Sequence, residues 1–152
     1  MKYRKSQIVY TILTVLFLAV IWGNSMKDAK ASSELSQSVL AKIIDIFKLP
    51  MTEHTLRKLA HGVEYLIFGF LLCNAVWRCG YYQKKQGSAF LQSLPLAYLM
   101  GIIAALTDET IQLFSEGRSS QVTDVWIDAG GVLAGIILTG LVVLVRRRAN
   151  RL

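Results

Sequence analysis

The chain has only two cysteines, two prolines and two histidines among 152 residues. Cys73 and Cys79 stand six positions apart where a helix is expected to be ending. That spacing supports neither a disulfide framework nor a metal pair, and two thiols in a reducing setting is the simpler reading. No nucleophilic triad, phosphate-binding loop or redox motif is visible, which leaves the common soluble enzyme classes without a foothold. No internal repeat or low-complexity tract occurs either, and a missing inverted repeat argues against a solitary transporter. Acidic residues are scarce: 10 Asp and Glu face 17 Lys and Arg, for a formal net charge of +7.

What the chain does have is apolar sequence, at 53% of its residues. Runs such as Ile8–Trp22 and Ile127–Val145 are longer than a soluble core of this size needs, whereas a hydrocarbon layer takes roughly 20 helical residues to cross. Barrel strands would alternate polar and apolar side chains, and these runs do not, so the backbone must be satisfied by helices. The expected fold is all-α: one polytopic domain over residues 1–152, with a four-helix transmembrane bundle whose spans cover about 8–24, 60–77, 91–113 and 124–145. The basic residues follow this topology rather than a nucleic-acid footprint. Lys2, Arg4 and Lys5 precede the first span, Arg78, Lys84 and Lys85 separate the second and third, and Arg146, Arg147, Arg148 and Arg151 follow the fourth. With four spans these clusters share one side, and the positive-inside rule makes both termini cytoplasmic. The long first loop, with six Lys or Arg against four acids, mildly opposes that assignment.

The first span also imitates a signal peptide, having a basic start, an apolar run and Ala29-Lys30-Ala31 as an A-x-A site. The long polar gap from Asn24 to Asp28 before that site favours a retained anchor. After it, Leu35, Val39, Leu40, Ile43, Ile44 and Phe47 recur at helical spacing, with Pro50 just beyond. They predict an external amphipathic helix over about 34–48, lying in the membrane interface rather than packed as a lid. Thr52 and Glu53 open the helix that carries the second span. Pro95 falls near the start of the third, where proline is tolerated. Ser115 to Ser120 forms a short external turn before the fourth.

The informative residues are polar ones inside or at the edges of these spans, since an ionisable group at membrane depth marks a function by default. Lys58, His61 and Tyr65 share a face of the second helix, with Glu64 one turn from His61. Gly101, Ala105, Asp108 and Gln112 line the third, with Glu109 adjacent. Asp124, Asp128, Gly131 and Gly135 form a stripe on the fourth, its lower half a G-x-x-x-G motif for close helix approach. A short turn makes the third and fourth helices antiparallel neighbours, and the second enters from the same side, so these groups converge in the outer part of the bundle. His61 and Glu64 are the acid/base candidates, Asp108 and Glu109 could position a proton or cation, and Arg118 suits an anionic group. Lys58, Tyr65, Gln112, Asp124 and Asp128 complete the candidate binding set. Bland readings stand beside these: Asp124 as a first-turn acid, Tyr65 as packing, or the whole cluster as an ion-pair network that specifies the bundle.

Several pieces here resemble the VanZ-like family: Lys58-x-x-His61-x-x-Glu64-Tyr65 with Gly69, Asp108-Glu109-x-x-Gln112-x-Phe114, Gly117-Arg118-Ser119, and Asp124-Val125-x-x-Asp128-x-x-Gly131. Their order and spacing extend the resemblance from the first span through Gly135. Two departures show. Trp22-Gly23-Asn24-Ser25-Met26 stands where the family has a Ser-Ser-Gln-like sequence, and Asp128 stands where it has Asn. The resemblance implies a small bacterial protein of the cytoplasmic membrane with both termini inside, related to a protein associated with low-level resistance to the glycopeptide teicoplanin.

Three functional readings follow. An outward-facing polar pocket binds or modifies a lipid-linked or amphiphilic envelope molecule. Alternatively, His61, Glu64, Asp108, Glu109 and Asp128 hold a metal for hydrolysis or transfer; no standard ligand motif is complete, and one histidine among carboxylates suits Mn or Fe better than Zn. Or the cluster only packs helices. The expected partner is the lipid bilayer, without nucleic acid. The residues name no cofactor or oligomeric state, and do not decide between catalysis and binding.

Overall fold

The computed structural model describes residues 2–27, 37, 52–79, 89–115 and 122–149. These fold into four helices: α1 (Lys2–Ser25), α2 (Glu53–Trp77), α3 (Ala89–Leu113) and α4 (Val122–Ala149). Each is long and apolar enough to cross a membrane. The expected amphipathic helix over 34–48 lies outside the described residues apart from Gln37, which is helical and whose amide donates to Glu53 Oε2 at 3.3 Å.

The ends of the helices follow their local chemistry. Thr52 caps α2, its hydroxyl accepting from the Thr55 backbone N–H, and Glu53 supplies first-turn negative charge. In α4, Asp124 stands in the first turn and Arg146, Arg147 and Arg148 in the last, so both ends complement the helix dipole. Because α3 begins at Ala89, Pro95 falls in its second turn instead of near its start. Without an N–H it cannot donate to the Leu91 carbonyl one turn back.

The bundle is inside-out relative to a soluble one. Ile8, Ile12 and Leu16 of α1, Val63 of α2, Leu99, Ile103 and Leu106 of α3, and Ile137, Leu141 and Leu144 of α4 are all exposed. Such a continuous apolar exterior suits lipid. The buried core is small, built on Ile21, Tyr65, Phe68, Leu72, Ala97, Ala104, Ala105, Val132 and Ile136. Helix α2 packs on the other three and most extensively on α4.

That α2–α4 seam depends on missing side chains. A Cβ at Gly131 would lie 2.5 Å from the Gly62 carbonyl oxygen and 3.0 Å from Tyr65 Cβ. One at Gly69 would lie 2.5 Å from the Val132 carbonyl oxygen, and one at Gly135 would strike the Leu66 carbonyl. The G-x-x-x-G stripe is therefore consumed inside the bundle, where small residues let backbones approach.

Gly130 is the natural control, because nothing lies within 4 Å of a Cβ placed there. Gly131→Ala is expected to destabilise by about 1–3 kcal/mol through overpacking, and Gly130→Ala to be neutral or stabilising by up to about 1 kcal/mol. Thermal unfolding of the two variants in the same detergent checks the pair.

Candidate functional site

One end of the bundle gathers the C-terminal ends of α1 and α3 and the N-terminal ends of α2 and α4. The α2–α4 seam sets the depth of its key groups. With Gly131 against Gly62 and Tyr65, the residue one turn earlier on α4, Asp128, comes level with His61 on α2. Asp108 arrives from α3. Ligand-type atoms of His61, Asp108 and Asp128 all lie within 4.8 Å of one another.

Asp108 and Asp128 are completely buried and Glu109 is nearly so. His61 Nδ1 lies 3.9 Å from Asp108 Oδ2, too far for a hydrogen bond, and is itself buried without a partner. The imidazole as a whole keeps 25% exposure, whereas Asp108 is fully buried. Asp108 Oδ2 accepts from Gln112 Nε2 at 3.1 Å, one turn along the same helix. Neither oxygen of Asp128 has a hydrogen-bond partner. The acids Asp108, Glu109, Asp124 and Glu64 all lie within charge–charge range of it. A buried carboxylate left without partners costs at least about 1–3 kcal/mol.

Glu64 is half-buried, takes a hydrogen bond from Asn24 and lies within charge–charge range of His61, Asp108 and Lys27. Lys58 sits to one side, paired with Asp124 Oδ1 at 2.8 Å and near Thr123 Oγ1 at 3.5 Å. Tyr65 closes the floor: it is fully buried, donates to the Ala104 carbonyl at 3.3 Å and stands edge-on to Phe68. Arg118 falls outside the described residues. The structure thus brings His61, Glu64, Asp108, Glu109, Gln112 and Asp128 together, with Lys58 and Asp124 as an ion pair at the flank.

Helix α1 adds residues that the sequence reading did not place in the cluster. Ser25 is almost fully buried; its hydroxyl lies 3.5 Å from Gln112 Nε2, and its carbonyl accepts from Ser115 Oγ at 2.8 Å. Trp22 Nε1 reaches the Ala104 carbonyl at 3.5 Å. Asn24 and Ser25 directly follow an apolar run, so they read as loop residues rather than site residues. A second polar locus occupies the opposite end of the bundle. Arg78 is buried there, its guanidinium 4.5 Å from the Tyr10 ring centroid and 4.4 Å from that of Trp77. It donates to the Asn74 carbonyl at 2.9 Å and to the Asn74 side chain, which in turn donates to Thr139 at 3.1 Å. Thr139 continues the Asp124, Asp128, Gly131, Gly135 stripe by one more turn, and that periodicity was its signal.

Replacing Asp128 with asparagine removes one acid from a crowd of acids and supplies an amide that can donate to Asp108. Asp128→Asn is expected to raise the unfolding midpoint in chelator-treated detergent solution, by about 1–3 kcal/mol of stability. A lowered midpoint would mean that the carboxylate holds the helices together.

The geometry agrees with the match to known families. The VanZ/LLP1 family pattern matches residues 8–143, from α1 through nearly all of α4. No curated protein and no solved structure matches the chain. The matched segment contains every helix that builds the cluster, and the chain belongs to the VanZ/LLP1 family of membrane-spanning proteins.

Proposed function

We propose that this protein resides in the bacterial cytoplasmic membrane with both termini inside, and that its buried polar cluster faces outward as a pocket that binds or modifies a lipid-linked or amphiphilic envelope molecule. One observation carries the reading: three carboxylates, Asp108, Glu109 and Asp128, are buried at one end of a lipid-facing bundle, around an imidazole that stays partly open. The opposite end carries Arg4, Lys5, Arg78 and Arg146 to Arg148. The positive-inside rule puts that end in the cytoplasm and the cluster outside.

In this reading His61 and Glu64 exchange protons with the bound molecule, because they border the opening, while Asp108, Glu109 and Asp128 lie deeper and orient them. Gln112 fixes Asp108. Lys58 and Arg118 meet an anionic headgroup, and Tyr65 shapes the floor. Family membership supports a link to glycopeptide resistance, with teicoplanin the compound to examine first.

Orientation is tested with single cysteines in a Cys79→Ser background, where Cys73 is buried. Phe114→Cys, at the cluster end, is expected to react with a membrane-impermeant maleimide on intact cells, and Arg147→Cys only after permeabilisation. The reverse pattern overturns the outward assignment. Function is tested in a deletion strain profiled against cell-wall antibiotics and complemented with His61→Ala, Glu64→Ala or Asp108→Ala. Each variant is expected to lose complementation at undiminished membrane abundance. Full complementation by all three removes the pocket's role.

A further inference from the structure

The cluster has the makings of a cation site. His61, Asp108 and Asp128 come from three different helices, and each offers a donor atom to a common centre, with all such atoms within 4.8 Å of one another. A bound divalent ion with ligands at about 2.1 Å brings neighbouring donors to about 3 Å, so closure needs rotamer adjustments of an ångström or two rather than movement of helices.

The independent observation is Asp128. It is fully buried, both of its oxygens lack a hydrogen-bond partner, and four acids, Asp108, Glu109, Asp124 and Glu64, lie within charge–charge range of it. His61 Nδ1 is likewise buried without a partner, on the side facing Asp108. An ion-pair network would have supplied counter-charges here. Lys58 is spent on Asp124 at 2.8 Å instead, and Lys27, the cation near Glu64, is hydrogen-bonded to Asn24 Oδ1 at 2.9 Å. Buried charges are normally paired or coordinate a metal. A positive ion at the centre satisfies all three side chains at once.

We propose that His61, Asp108 and Asp128 bind one divalent transition-metal ion, Mn²⁺ or Fe²⁺. The imidazole nitrogen disfavours Mg²⁺ and Ca²⁺, which prefer oxygen ligands throughout, and two carboxylates with a single histidine suit a six-coordinate ion. Three protein ligands leave such an ion about three positions for water or for an anionic oxygen entering past the exposed edge of His61. Glu64 lies within charge–charge range of both His61 and Asp108, at the border of the site. The site goes beyond the pocket reading and does not require it.

The test uses the full-length protein purified in detergent without a histidine tag, stripped with chelator and titrated with Mn²⁺ alone, while the free-ion electron paramagnetic resonance signal is followed. Wild type is expected to bind about one ion per chain, with a higher unfolding midpoint when Mn²⁺ is present. Asp128→Asn and His61→Ala are each expected to weaken binding by more than about tenfold. His54→Ala, which alters the other histidine of the chain, is expected to bind like wild type. The proposal is overturned if wild type binds no stoichiometric Mn²⁺, if both cluster variants bind as wild type does, or if His54→Ala abolishes binding. Stoichiometric binding by a protein whose cluster variants still complement would keep the metal site and remove the pocket's role. Lost complementation with no metal bound would do the reverse.

Discussion

Backbone contact between α2 and α4 is the constraint from which the rest of the structure follows. Gly131 and Gly135 of α4 lie where any side chain would meet the carbonyls of Gly62 and Leu66, and Gly69 of α2 meets Val132 in return. In a membrane there is no hydrophobic drive to press apolar helices together, so close packing of small residues has to hold the seam. Its register is fixed to within one residue by those glycines. The same register brings Asp128 level with His61, and α3 then needs only to lay Asp108 across the end. The polar cluster is in this sense a consequence of where the glycines stand.

Two ends of one bundle show two ways of keeping a polar group at membrane depth. Arg78 is fully provided for, sandwiched by Tyr10 and Trp77 and hydrogen-bonded to Asn74, which also bonds Thr139. Such a satisfied network reads as structure. At the other end, Asp128 has no hydrogen-bond partner and His61 Nδ1 has none. Folding left that end under-satisfied, and groups left in that condition are those a ligand or an ion can complete.

Much of this was legible in the sequence because membrane helices write their faces plainly. The three- and four-residue spacings of Lys58, His61 and Tyr65, of Asp108 and Gln112, and of Asp124, Asp128 and Gly131 each placed a face. The short connection after α3 made two of those faces neighbours. Other features were hidden for physical reasons. Asn24 and Ser25 join the cluster only because α1 continues helically past its apolar run to Ser25, and nothing in their local sequence distinguishes that from a loop. Arg78 read as a topology charge because its aromatic partners come from different places, Trp77 beside it and Tyr10 far away in α1. The second-turn position of Pro95 followed from a helix start two residues earlier than the apolar pattern marks. Arg118 and the amphipathic segment over 34–48 stay with the sequence reading, since they lie outside the described residues.

Convergence of His61 and Asp128 across the α2–α4 seam is the claim on which the pocket and the cation site both stand. It can be measured directly by placing cysteines at 61 and 128 in a chain whose Cys73 and Cys79 are serine, then oxidising membranes mildly and scoring protection from a maleimide-linked polymer. An intramolecular disulfide between 61 and 128 is expected, with none between cysteines at Val63 and Trp126, which both face outward from the bundle. A crosslink in the Val63–Trp126 pair with none in the 61–128 pair would contradict the register and remove the cluster.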